Sequence, residues 1–502
     1  MNSQQAPVGG TDISVDVFKR PDGLLSRATL GSVRSSLATI RVPMDVARVV
    51  AVWAAWFAVV CAFQIVVQAR LAPQRPDNTL AWTHYTTEQA VLDRRPLLSD
   101  PNMNEHVAYD SEYYISIAAN GYDDPNAQAY SFVGGQRWSG APGSEPGAPK
   151  EWTSLNYAFL PGYSMAMRPM MAIESVLPLT SDLTPIGKAT LAGIVVSALG
   201  GLLAMLALAR LMGAYARRRK SGDAASDPEA GTWGGLGGLR AAFYLLVFPT
   251  GFYLAQVYTE GLFIGLAFMA CALAVEKRFV TAAILAVLAT LVKPAGMFLA
   301  LPLAWAAFEA LRSGELRLRD WRIVIPVASI LAPVVAFGAW FLSPLGQNWK
   351  AVEDAFFTRY FDPIGSWNMW VSVWDSLLSG VDKTSDASGF SHYFGGGPLP
   401  SSSTVYLTLE LLAIALAVVS SVWLLRRMPG VALFGLAVLV FSFSSTVAAP
   451  WGMDRYVLAV PAIFLMLAWL GRRVVVDRVW VLASTLLMGM SAMLFTFGFW
   501  VS

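Results

Sequence analysis

Cysteine is close to absent from this chain: Cys61 and Cys271 are the only two in 502 residues, and both lie inside apolar runs. No disulfide framework can hold its loops, and the two read as small core residues. Histidine is nearly as scarce. His84, His106 and His392 show none of the paired spacing that a zinc site needs. Charge is sparse as well. Asp, Glu, Lys and Arg make up 14% of the residues, the net charge is +2, and there is no nucleic-acid signature. No internal repeat is visible, which counts against a transporter built from inverted halves.

What fills the chain instead is apolar. Hydrophobic residues make up 55% of it and the mean hydropathy is +0.51, typical of a protein threaded repeatedly through lipid. Apolar windows recur at 46–69, 186–212, 239–257, 260–275, 279–292, 295–310, 322–342, 403–425, 431–448, 456–470 and 479–500. They predict an all-α polytopic membrane protein with about eleven transmembrane helices. The windows 279–292 and 295–310 are separated only by "VKP" and also read as one kinked hairpin.

Basic residues set the orientation. With the N terminus inside, the cytoplasmic segments collect Arg20, Arg27, Arg34, Arg41 and Arg48, "RRRK" at 217–220, "EKR" at 276–278 and "RSGELRLRDWR" at 312–322. Arg426, Arg427, Arg472, Arg473 and Arg478 join them, the positive-inside pattern. The chain then divides into a cytoplasmic, poorly ordered tail at 1–44, a first span at 45–70 and an exoplasmic loop at 71–185. Spans two to seven follow at 186–342, with a cytoplasmic linker at 213–238, then a second exoplasmic loop at 343–402 and four last spans at 403–502. The first apolar run is too long for a signal-peptide core. Composition and loop style point to the plasma membrane of a bacterium.

Both long loops fall outside, so chemistry is expected there. The first carries 13 acidic against 6 basic residues, a Gly/Pro-rich stretch at 139–149, and two aromatic-rich helical patterns at 110–120 and 156–172 expected to lie along the membrane surface. "YDSEYYISIAANGY" at 109–122 opens it, followed by "NYAFLPGYSMAMRPM" at 156–170, "FPTGFYLAQVYTEGLFIGLAFMACAL" at 248–273 and "AAILAVLATLVKPAGMFLALPLAW" at 282–305.

In that order these segments resemble the PIG-V family, the second mannosyltransferase of GPI-anchor synthesis and its bacterial relatives. The likeness spans roughly residues 109 to 310, with a fainter echo in "MDRYVLAVPAIFLML" at 453–467. Tyr109 stands where the family usually has Trp, Lys293 where Arg is commoner, and the 123–155 insert is longer than in eukaryotic members. The resemblance implies a GT-C glycosyltransferase with its site on the exoplasmic face. Its donor would be a polyprenyl-phosphate-linked sugar, usually mannose. It implies no metal cofactor, the lipid-linked sugar phosphate serving as co-substrate. In a bacterium the acceptor is expected to be a cell-envelope glycolipid, a polysaccharide or a secreted protein.

Transfer to a hydroxyl needs a carboxylate to take the proton while the anomeric carbon loses phosphate through an oxocarbenium-like state, by analogy with inverting glycosidases. Asp110 is the expected base; the bland alternative is that Asp110 and Glu112 cap or solvate a helix. Glu112 reads also as a helper acid or as a ligand for a divalent ion, the latter against the metal-free transfer that the resemblance implies. Glu260 starts an apolar helix, where an ionisable group calls for a polar partner or a site role, or caps the helix. Lys293 and Arg455 lie at outer helix ends and are expected to hold the donor phosphate, against the alternative of snorkelling to the interface, with Arg137 and Arg168 as the next candidates. Tyr114, Tyr122, Tyr157 and Tyr163 either stack on sugar or anchor the interface. Two rival functions remain: a transporter or flippase of lipid-linked sugars, and a non-catalytic subunit of an envelope assembly complex.

Overall fold

The computed structural model describes residues 43–71, 103–124, 127, 129–133, 136–140, 153–181, 183–219, 231–317, 319–354, 361–384, 397–399, 401–444, 452–497 and 501. The tail up to 42, linker residues 220–230, His84 and His392 lie outside them. Helices dominate. In chain order they are α1 (Met44–Leu71), α2 (Ser111–Ala119), α3 (Pro161–Glu174), α4 (Pro185–Arg219), α5 (Gly235–Leu246), α6 (Thr259–Val275), α7 (Phe279–Val292) and α8 (Ala300–Arg312). There follow α9 (Val324–Phe341), α10 (Pro344–Val352), α11 (Pro363–Ser379), α12 (Ser401–Leu425), α13 (Pro429–Ser444), α14 (Met453–Tyr456), α15 (Pro461–Leu470) and α16 (Val474–Thr496). Many open on proline, whose fixed φ and missing N–H suit the first helical position.

Among the described residues six helices, α1, α4, α8, α9, α12 and α16 with their lead-in turns, are long and apolar enough to cross a membrane. The α14–α15 pair, bent by 81° at Val460, makes a seventh if taken as one span, and α5, α6, α7 and α13 are shorter apolar helices. The chain is a multi-pass helical membrane protein; among the described residues six or seven of the eleven expected windows are full-length spans and the others are the shorter apolar helices. The shortening has local causes. The window 239–257 is cut by Pro249, so that α5 stops at Leu246 and a 3₁₀ turn, Gly251–Ala255, replaces its last third.

The tightest crossing joins α4 to α6. Gly261 and Gly265, spaced G-x-x-x-G, face Gly200, and a Cβ added at Gly200 would lie 2.4 Å from the Gly261 carbonyl carbon. Only glycine permits so close an approach of backbones.

The helices carry ionic layers at their two ends. At one end Arg210 pairs with Glu276, Arg218 with Glu309 (2.7 Å) and Lys277 with Glu315, and Tyr244 donates to Asp477 (2.6 Å). These are groups that the basic-residue pattern puts on one side. At the other end lie Asp110, Glu260, Lys293 and Arg455. Helix α6 spans the interval, with Glu260 in its first turn and Glu276 just past its last, about 25 Å apart at 1.5 Å per residue.

The first loop departs from expectation in three ways. Helix α2 does not lie on a surface: Ser111 to Ala118 are all buried. It is pinned by Ser164 Oγ, which donates to the Tyr114 carbonyl (3.0 Å), and by Arg168, which donates to the carbonyls of Ile117 and Ala118 (3.1 and 3.2 Å) in its last turn. The pattern 156–172 becomes an α-helix only at Pro161. Leu155–Ala158 is a 3₁₀ turn, and Leu160, preceding proline, is driven into the extended region. Finally, the 123–155 insert contains an antiparallel sheet of β1 (Ala129–Val133), β2 (Gln136–Gly140) and β3 (Thr153–Ser154), ordered β2-β1-β3, with Val133 paired to Gln136.

Candidate active site

Asp110 stands at the N-cap position of α2, yet its carboxylate makes no capping hydrogen bond. The residue before it, Tyr109, holds a left-handed φ of +50°, uncommon outside glycine and costing about 1–3 kcal/mol. Local bonds impose that turn. Ser111 Oγ and Tyr258 OH both donate to the Ala108 carbonyl, at 2.9 and 3.0 Å. Asp110 is thereby turned to Arg455, whose Nη1 lies 3.8 Å from Asp110 Oδ2, while remaining 31% exposed.

Glu260 is 3% exposed and bridges two cations: Lys293 Nζ at 2.6 Å and Arg455 Nε at 3.4 Å, both from Oε1. Lys293 sits where α7 gives way to the 3₁₀ turn Pro294–Leu299, its backbone extended (φ −143°, ψ +140°) because proline follows. Arg455 is buried, its guanidinium 5.4–5.7 Å from the ring centres of Tyr253, Tyr258 and Tyr456. The turn that aims it depends on Gly452, at φ +94°, and on Glu410, a buried carboxylate of α12 that accepts from the N–H groups of Gly452 (2.9 Å) and Asp454 (2.7 Å).

These four side chains line one cavity of about 510 Å³. Tyr114, Tyr258 and Tyr456 adjoin them; Phe263, Ile264, Met297, Phe337, Phe341, Val438 and Phe441 form an apolar wall; Trp349, Lys350, Glu353 and Asp354, from α10 and just beyond, complete it. Burial, reinforced by the charge of Asp110, pushes the Tyr114 phenol well above its ordinary value, so it stays neutral and can donate a hydrogen bond but not act as a base. Among the described residues, no group of three or more His, Cys, Asp and Glu side chains could hold a metal ion.

The structure therefore brings together Asp110, Glu260, Lys293, Arg455 and Tyr114. It does not bring Glu112, Tyr122, Tyr157 or Tyr163 to the cavity. Glu112 is fully buried. Tyr122 donates to the Phe159 carbonyl (2.9 Å) and stacks on Tyr157, whose hydroxyl meets Asp123 (2.9 Å), and Tyr163 donates to the Gly193 carbonyl (2.8 Å). These tyrosines tie the loop to itself and to α4. Arg168 is committed to the end of α2, and the side chain of Arg137 is outside the described residues. Sequence reasoning missed Glu410, although a lone acid within the apolar run 403–425 was a legible signal. It missed the second-loop wall too, where no motif stands out.

No protein-family profile and no curated protein matches the chain in sequence. Among solved structures it is similar to the oligosaccharyltransferase AglB of Archaeoglobus fulgidus in complex with an inhibitory peptide and a dolichol-phosphate, at 14% identity, TM-score 0.37, over 87% of this chain and 56% of that one. An Archaeoglobus fulgidus oligosaccharyltransferase in complex with zinc and sulfate gives 15%, 0.36, 88% and 52%. The chain thus spans about half the length of these proteins. A likeness this distant assigns neither activity nor ligand to it.

Proposed function

We propose that the protein is a GT-C-type membrane glycosyltransferase, moving a hexose, mannose first among candidates, from a polyprenyl-phosphate-linked donor to a hydroxyl of a cell-envelope acceptor. In this reading the N terminus is cytoplasmic and the cavity opens on the exoplasmic side of a bacterial plasma membrane. One observation carries it: Asp110 occupies a helix cap without capping, and turns its carboxylate instead to a cavity that also holds two cations and an apolar wall. The PIG-V-like motifs supply the sugar and the donor class.

Each element of the cavity then has a role. The apolar wall suits a polyprenyl chain. Lys293 and Arg455 sit where a phosphate leaving group gathers charge, and fixed cations there stabilise the transition state more than the ground state. Asp110 takes the acceptor hydroxyl proton as the acceptor oxygen bonds to the anomeric carbon. The carbon–phosphate oxygen bond breaks, polyprenyl phosphate leaves with that electron pair, and a single displacement inverts the anomeric centre. Glu260 holds both cations in place and is too enclosed by them to serve as a nucleophile. The test is incubation of purified protein with radiolabelled polyprenyl-phosphate-mannose and membrane extract as the acceptor pool. Label appearing in product with unaltered protein and not with Asp110→Asn supports the reading; relocation of label across vesicles without transfer would replace it with a flippase.

A further inference from the structure

Helix α11 belongs to none of the candidate spans, yet it presents apolar side chains outward. Asp362 caps it by accepting from Gly365 N–H (2.9 Å), Pro363 starts it, and Gly380, at φ +69°, ends it. One face is core: Met369, Trp370 and Val373 are buried, and Trp370 stacks on Phe443 of α13 with ring centres 5.3 Å apart. A second face is a stripe of Ile364, Trp367, Val371, Trp374 and Leu378 which, with Phe361 just before the helix, is 42–75% exposed. At roughly 100° per residue this stripe covers about 80° of the helix circumference. The third face, beside the stripe, is polar, with Asn368, Ser372 and Asp375.

A core face, an exposed apolar stripe with two tryptophans and a polar flank are what a helix needs to lie in the plane of a membrane interface, stripe toward acyl chains and flank toward water. The stripe is continuous with the cavity. Phe361 is both its first member and a lining residue, and the Asp362 N–H donates to the Ser444 carbonyl (3.0 Å), fixing this end beside α13. We propose that α11 is an in-plane interfacial helix whose stripe contacts the lipid leaflet and delivers a long-chain lipid-linked substrate to the cavity past Phe361. The lipid contact stands on geometry alone; the delivery rests on the proposed function.

Full-length protein with Cys61→Ala and Cys271→Ala is reconstituted in phosphatidylcholine vesicles, with an environment-sensitive fluorophore on Val371→Cys, Trp374→Cys, Asn368→Cys or Asp375→Cys. Bromine-labelled acyl chains are expected to quench positions 371 and 374, and aqueous iodide positions 368 and 375; equal access of iodide to all four overturns the lipid contact. For delivery, Trp367→Ser with Trp374→Ser should raise KM about fivefold for a full-length polyprenyl donor and leave a short-chain, water-soluble donor unchanged. Trp→Leu at both positions, which keeps the stripe apolar, should restore it. An equal change for both donors overturns delivery. If unaltered protein transfers from neither donor, the proposed function and the delivery fail together, while the quenching still decides the lipid contact.

Discussion

Lys293 Nζ lies 2.6 Å from Glu260 Oε1, so a cation that lines the cavity is already held by an acid on a neighbouring helix. Neutralising Glu260 removes the carboxylate oxygen that both Lys293 and Arg455 meet. Losing one partner of a buried pair costs about 3 kcal/mol. Glu260→Gln is therefore expected to lower the unfolding temperature in detergent, and Glu260→Gln with Lys293→Met to recover most of the loss. A double variant no more stable than the single would show that the pairing contributes little.

Asp110→Asn is expected to reduce transfer by about 10² to 10⁴, the amide keeping the shape but not the ability to take a proton. Because the carboxylate makes no capping bond, stability should stay within about 0.5 kcal/mol. Retention of more than half the activity would remove Asp110 as the base.

Lys293→Gln and Arg455→Gln should each lower kcat/KM for the lipid donor at least tenfold, about 1.4 kcal/mol. Since both side chains also hold Glu260, rates must be normalised to folded protein. Unchanged donor kinetics would leave the two cations as structural partners only.

Glu410 acts through Arg455, and a double-mutant cycle can show it. Glu410→Ala should lower donor kcat/KM about tenfold in the unaltered protein and have little further effect once Arg455→Gln is present. Additive losses would mean that Glu410 supports the bundle generally.

His106 gives a pH signature for stability. It is buried, its Nδ1 2.9 Å from the Ala255 carbonyl, and burial holds its pKa down at about 4 against 6.5 for the free side chain. Between those values the unfolded chain binds a proton that the folded one does not, so stability falls as pH drops from about 6.5 to about 4, by up to about 3 kcal/mol. His106→Gln should flatten that slope in thermal unfolding measured across the same interval.

Much of this site was legible because its chemistry is costly to place in an apolar chain. Asp110, Glu260, Lys293 and Arg455 each stand beside or within hydrophobic runs, where a charge calls for a reason, and the structure gathers all four. The tyrosines were not separable by sequence. Tyr114 of α2 reaches the cavity, whereas Tyr163 of α3 is drawn to the Gly193 carbonyl of α4, a difference decided by tertiary packing. Helix breaks were under-read: Pro249 and Pro161 shift two elements, but hydropathy averages over such punctuation. The second-loop wall of Trp349, Lys350, Glu353 and Asp354 has no local signature, since only tertiary docking brings it to the cavity that Asp110 lines.

The glycine seam between α4 and α6 also bears on movement. With backbone against backbone at Gly200 and Gly261, no side chain is left there to change rotamer and absorb a sliding step. Of the apolar stretch that qualifies α4 as a span 67% is buried within the protein, against 22% for α9. Glu260 stands one residue before that seam and is expected to be held as rigidly as the crossing itself. Amide exchange should therefore be slowest along α4 and α6, and fastest in α10 and α11.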